Sequence, residues 1–196
     1  LIPVCAIYST FLQRSYDMLI HDVSLSNLHV VFGVDRAGIT GEDGETHQGI
    51  FDVGYLCQIP NIKVLCPSNY AELREMLVHA IFDIEGPVAV RYPRGGEGKF
   101  KNCLPYNMAS IIRQGSDLTL VTYGILVNTA LEAAELMANE GISCEVIKLG
   151  AISPIDLDPV LSSVIKTRNL MVLEDCVIEG CVGQRLVFEL AKNGIT

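Results

Sequence analysis

The 196-residue sequence predicts an α/β protein of two domains, each a mostly parallel sheet with helices on both faces. Three observations predict it. Short apolar runs rich in branched residues alternate with stretches whose apolar residues recur three and four positions apart, the alternation of parallel strands and crossover helices. The alternation lapses once, over residues 95–114, where glycine, lysine, Asn102, Pro105 and Asn107 follow without a period, and it restarts at Asp117. The longest polar stretch follows directly on an apolar run, the place where open parallel sheets bind ligands. These breaks predict a first domain over residues 1–95, a linker over 96–116 and a second domain over 117–196.

Residues 2–8 read as a strand buried on both faces. Ser9 or Thr10 caps a helix in which Leu12, Tyr16, Leu19, Ile20 and Val23 form an apolar stripe. Residues 29–34 form a second strand, and strand, helix, strand over this length is a βαβ unit with parallel strands. Residues 35–49, DRAGITGEDGETHQG, put an arginine, a histidine and four glycines into a loop far longer than the usual connection of about 2–6 residues. A short helix over 50–56 and a strand over 63–66 come next, then a helix over 71–82 capped by Ser68 and broken by Gly86-Pro87. Residues 87–92 form the fourth strand and run into Pro93-Arg94-Gly95-Gly96. The second half reads as an independent layer structure, with strands over 118–123, 144–149 and 170–173. Its helices cover 126–139, a stretch from Asp158, and 184–192. Gly141 closes the first of them at C′, and Asp158-Pro159 opens the second with an acidic cap and proline at N1.

Hydrophobic residues make up 49% of the chain, enough to bury a core. The net charge of −9, evenly spread, argues against sequence-independent binding to nucleic acid or an anionic membrane, both of which need a basic field. The seven cysteines are odd in number, widely spaced and without a CxxC pair. They read as small buried hydrophobes of a reducing cytoplasm rather than as disulfides or a zinc site. No apolar stretch approaches the roughly 18 residues of a membrane span, and no cleavable signal leads the chain. Opening mid-strand on LIPVCAI, the sequence reads as a fragment of a longer polypeptide.

Arg14 follows the first strand, Arg36 and His47 the second, and Arg94 the fourth, so three arginines and a histidine converge on one sheet edge. Guanidinium forks suit a phosphate or carboxylate, and a histidine beside them transfers protons near neutral pH or donates to an oxyanion. Each residue also has a structural reading: Asp35 or Asp43 as the partner of Arg36, His47 as a solvated loop residue, Asp43-Gly44 as a turn, Phe11 as core. One shared site accounts for all of them. There is no P-loop, no G-x-G-x-x-G after a strand and no G-x-S-x-G elbow. The glycines of residues 180–183, entering the last helix, serve either an anion site or tight packing.

The stretches YSTFLQRSYDMLIHDV, DRAGITGEDGETHQG, CPSNYAELREML and GPVAVRYPRG resemble the 1-deoxy-D-xylulose 5-phosphate synthase family, thiamine diphosphate enzymes of the transketolase superfamily. The resemblance is close through Gly95 and looser beyond, where it is to the transketolase C-terminal domain in general. It implies a pyrimidine-binding domain followed by that C-terminal domain. It also implies a cytoplasmic, homodimeric transferase of isoprenoid and thiamine biosynthesis. With thiamine diphosphate and Mg, this enzyme would decarboxylate pyruvate and join the two-carbon unit to D-glyceraldehyde 3-phosphate. By the same resemblance Phe11 stacks on the aminopyrimidine ring with Arg14 nearby. Tyr8, Arg36 and Arg94 hold the acceptor's phosphate, and Asp43 and His47 lie near the reacting carbons.

The family's Gly-Asp-Gly and Asn motif for diphosphate and metal is missing from this stretch, as is the glutamate that protonates the pyrimidine, and the last strand and tail are cut short. The expectation is half an active site, inactive alone. It would carry an exposed apolar face prone to self-association and a mobile or disordered 35–49 loop. The alternatives are another enzyme of the superfamily (transketolase, or a 2-oxo-acid dehydrogenase β subunit) and a non-catalytic α/β interaction module.

Overall fold

The computed structural model describes residues 1–195 and contains two sheets. The first has the order β1-β2-β4-β3-β8, built from β1 (Val4–Tyr8), β2 (Val31–Asp35), β3 (Lys63–Leu65), β4 (Val88–Arg91) and β8 (Ala151–Ser153). Its first four strands are mutually parallel and β8 runs antiparallel to β3. The second has the order β5-β7-β6-β9, from β5 (Ala109–Arg113), β6 (Leu118–Tyr123), β7 (Cys144–Leu149) and β9 (Leu170–Leu173), with β5 antiparallel and the rest parallel. The α/β class and the predicted strands are therefore present, those of the second half with the predicted bounds.

Two strands escaped the sequence reading. β5 lies inside the stretch predicted as linker, and β8 is too short, at three residues, to show a period. β8 changes the architecture. It leaves the second half one residue after β7 and completes the first sheet, so the second half is not an independent layer structure.

The helices differ at their starts. The predicted first helix is a broken helical run: α1 (Ser9–Leu12), a 3-10 turn Gln13–Ser15, α2 (Tyr16–Met18) and π-helical turns Leu19–Ser24. Neither Ser9 nor Thr10 caps it. Both are buried in its first turn, where Thr10 Oγ1 donates to Thr46 O at 3.1 Å. After α3 (Asp52–Leu56), α4 (Tyr70–Phe82) is capped by Asn69 rather than Ser68. Asn69 Oδ1 accepts from Glu72 N at 2.9 Å, since the cap must stand directly before the first helical residue to reach the third amide. Asp158 is likewise the first residue of α6 (Asp158–Thr167), not its cap. Gly141, at φ +81, closes α5 (Val127–Asn139) as expected: its amide bonds Ala138 O and that of Ile142 bonds Met137 O, a Schellman motif. The last helix is α7 (Val182–Lys192). Among the described residues no helix is long and apolar enough to cross a membrane.

Alternation along the strands divides the core. Val31, Leu65, Val88 and Val90 face Met76 and Ala80 of α4, while Phe32, Val34, Val64 and Ala89 face the other way. That second face shares one cluster with Val121, Tyr123, Ile147 and Leu149 of the other sheet and with Val182 and Leu186 of α7. The opposite side of the second sheet, Leu120 and Val146, packs on Ala130 and Ala134 of α5. β1 departs from the expectation of burial on both faces. It is an edge strand with little packed over its faces, and Val4 is 53% exposed. An apolar composition marks a strand suited to burial but cannot say whether this chain supplies the cover.

A buried ion pair joins the two halves. Glu72 of α4 is 0% and Lys148 of β7 1% exposed, with Nζ 2.9 Å from Oε2. Alignment at Nζ is poor, so the contact is charge attraction rather than a directed hydrogen bond. The carboxylate is further held by Ser68 N at 2.8 Å and Leu104 N at 3.2 Å. Lys148→Ala strands that carboxylate and is expected to cost about 3–5 kcal/mol in urea unfolding, whereas the paired change Glu72→Gln with Lys148→Met recovers most of the loss. An unchanged midpoint for Lys148→Ala would refute this.

Candidate active site

The 35–49 loop is built from its own side chains. Its base is closed by Gly38 N to Gly49 O at 2.7 Å and Gly49 N to Gly38 O at 2.8 Å. Inside, Gln48 accepts from Thr40 N at 2.8 Å and donates to Gly44 O at 2.7 Å, and Thr40 Oγ1 donates to His47 O at 2.9 Å. Two 3-10 turns, Gly41–Asp43 and Glu45–His47, meet at Gly44, whose φ of +72 suits glycine. Most of the loop's polar groups are thus bonded within the loop itself. Thr40 and Gln48, given no role in the sequence, satisfy its backbone.

The base is clamped from the second half of the chain. Arg91, 5% exposed at the end of β4, donates from Nε to Asp52 Oδ2 and from Nη2 to Asp175 Oδ1, both at 2.9 Å. Burial works against its charge, but the two carboxylates outweigh it and hold the guanidinium pKa above the ordinary arginine value. Asp175 lies so close to Gly38 that a Cβ there would sit 1.9 Å from Oδ2, and Val177 N bonds Ile50 O at 3.0 Å.

On this base all seven residues singled out by the sequence form one connected group. Arg94 bonds Asp43 through Nη1 and lies 3.0 Å from Glu42 through Nη2, while Asp43 also pairs with Arg36. The Arg36 guanidinium stands 4.1 Å over the Tyr8 ring, and Tyr8 stacks on Phe11 at 5.6 Å. His47 meets Phe11 edge-on at 5.3 Å, and Arg14 lies 5.9 Å over the same ring. His47 Nδ1 is 2.7 Å from Thr46 Oγ1, which leaves Nε2 unengaged by that bond. Arg36 has the positive φ of +55, and its amide bonds Asp35 Oδ1 at 2.7 Å. Burial acts to raise the Asp43 carboxyl, but its close ion pair with Arg36 and the charge of Arg94 outweigh this and hold it below the usual range. A cavity of about 350 Å³ opens beside the two arginines, lined also by Ser68, Tyr70, Tyr92 and Gly95.

Sequence reasoning missed Asp52, Arg91, Asp175, Glu72 and Lys148. A signal existed for two of them: Arg91 ends an otherwise apolar strand and Lys148 stands in the mostly apolar run CEVIKL, and a charge in a buried strand requires a partner. The glycines at 180–183 serve packing around an internal anion. Glu174 accepts from Val182 N at 3.0 Å and Gly183 N at 2.8 Å, which fills the α7 N-terminus. Of the cysteines expected to be buried, Cys5 and Cys103 are exposed. Burial pushes the thiols of Cys57 to about 11 and Cys176 to about 12, which keeps them protonated.

Residues 1–96 match the model for the transketolase pyrimidine binding domain, and residues 107–196 that for the transketolase C-terminal domain. The chain is 43% identical to a 1-deoxy-D-xylulose-5-phosphate synthase of Chlorobium luteolum, over 97% of this chain and 31% of that protein. It is 44% identical to one of Desulforudis audaxviator, over 99% of this chain and 31% of that protein. The chain thus spans about a third of the length of these curated relatives. Among solved structures, a split gene transketolase, described as an inactive β4 tetramer, superposes with a TM-score of 0.88 at 27% identity, covering 97% of this chain and 63% of that one.

The Asp43 pairing makes the loop acid-sensitive. A carboxylate with a lowered pKa in the folded chain contributes fully above its ordinary value of 3.8, and that contribution is lost as pH falls below it through the lowered value. Hydrogen exchange of the amides of residues 38–49 is expected to accelerate over that window beyond its intrinsic pH dependence, and Asp43→Asn to abolish the transition. A transition that persists in Asp43→Asn assigns it to another group.

Proposed function

Because the chain belongs to the transketolase family, carrying its pyrimidine-binding and C-terminal parts, we propose that it is that portion of a 1-deoxy-D-xylulose-5-phosphate synthase, a transferase acting on pyruvate and D-glyceraldehyde 3-phosphate. The observation that carries this is the continuity of the group at the sheet edge. Two guanidinium groups that suit a phosphate adjoin an aromatic face that suits a planar cofactor ring. The level of identity to synthases supports the choice within the family.

The residues present fit the pyrimidine end of thiamine diphosphate. Phe11 is 39% exposed and held between Tyr8 and His47, an open ring ready to stack, with Arg14 beside it. Bound thiamine diphosphate supplies the electron sink for decarboxylating a 2-oxo acid. Magnesium and the diphosphate are assigned to the portion of the relatives that this chain does not span.

In this reading Arg36 and Arg94 receive the acceptor's phosphate, and Tyr8 orients Arg36 through its ring face. Asp43 keeps the two guanidinium groups at a fixed separation. His47, oriented by Thr46, presents Nε2 to give a proton to, or take one from, the acceptor's carbonyl oxygen. The enzyme assembles as a homodimer in the cytoplasm.

The chain alone lacks half of such a site and is proposed to be inactive, in keeping with the inactive β4 tetramer of the split gene transketolase. Incubated with thiamine diphosphate, Mg, pyruvate and glyceraldehyde 3-phosphate, it is expected to form no deoxyxylulose phosphate. In the intact enzyme containing this chain, Arg94→Ala is expected to raise KM for glyceraldehyde 3-phosphate at least tenfold with KM for pyruvate little changed, on the loss of a charge-assisted hydrogen bond of about 1.5–3 kcal/mol. An unchanged KM for the phosphorylated acceptor removes Arg94 from the phosphate site.

A further inference from the structure

Arg94 faces two carboxylates of the loop opposite it. Nη1 donates to Asp43 and Nη2 lies in an ion pair with Glu42, so each end of the planar fork that a phosphate would grip already has an anionic neighbour. The two carboxylates are not equivalent. The Asp43 side chain is 10% exposed and bridges two guanidinium groups, so removing it would separate Arg36 from Arg94. The Glu42 side chain is 83% exposed, has Arg94 as its one charged partner among the described residues, and Arg94 itself is 42% exposed at that point. Exposed pairs of this kind are among the weakest of ionic contacts.

We propose that Glu42 is a displaceable internal ligand of Arg94, a carboxylate that holds the guanidinium fork until an incoming phosphate takes its place. This rests on the reading of Arg94 as a phosphate-binding residue. The cost of releasing Glu42 is the same whatever anion replaces it, so the loop lowers the affinity of the site by one common factor for every phosphorylated ligand. Glu42 thereby tunes affinity without touching substrate, and its release needs no movement of Asp43, Arg36 or the loop base.

Calorimetric titration of this chain with two probes, inorganic phosphate and D-glyceraldehyde 3-phosphate, tests it in the wild type, Glu42→Gln, Arg94→Ala and the double variant. Glu42→Gln is expected to bind both probes about two- to five-fold more tightly, by the same factor, as the loss of an exposed ion pair allows. On the Arg94→Ala background the Glu42→Gln change is expected to have no effect. Binding that Arg94→Ala abolishes but Glu42→Gln leaves unchanged or weakens overturns the role of Glu42 and keeps Arg94 as the phosphate site. Binding that Arg94→Ala leaves intact, or no binding of either probe to any form, overturns the phosphate reading and the inference together.

Discussion

The buried charge of Arg91 is the constraint on which the site depends. A guanidinium at the end of a central strand cannot stay in a dry core without carboxylates, and the two it finds come from different parts of the chain: Asp52 from the short helix after the long loop, Asp175 from the segment after β9. Satisfying one charge therefore draws three elements to one point. Asp175 reaches that point by lying across Gly38, where no side chain would leave it room. The base of the loop is thus fixed by a residue 137 positions later in sequence.

With its base fixed, the loop needs little else. Thr40 and Gln48 take up its free amides and carbonyls, and the Asp43 carboxylate gathers two guanidinium groups on its outer side. The same economy recurs at the α7 N-terminus, where Glu174 is the anion, and at the α4 N-terminus, where Glu72 accepts two amides while pairing with Lys148 across the halves. Acidic residues are thus used as internal ligands in an acidic chain. In the loop, one of them, Glu42, is placed where it remains replaceable.

Much of this was legible in the residues. Strand positions followed from branched apolar runs, and the Schellman stop of α5 from Gly141. The convergence of Arg14, Arg36, His47 and Arg94 followed from their places after parallel strands, whereas Tyr8, Phe11 and Asp43 joined the group through the family resemblance. What the residues did not reveal was pairing at a distance. β8 has three residues and no period. Its membership of the first sheet depends on an edge that β3 offers, which no local pattern encodes. The exposure of β1 has the same origin, since apolar composition describes a surface that wants cover without saying what covers it.

By itself, then, the sequence determined the alternating α/β class, the family and the chemical inventory of the candidate site, because periodicity, turn residues and side-chain chemistry are local properties. The tertiary structure alone decided which carboxylate answers which cation, that the long loop is closed and self-bonded, and that the two halves share a strand and two buried ionic contacts. Those are properties of burial: a charge selects its partner only once water has been removed from both, and that removal is an act of the whole fold.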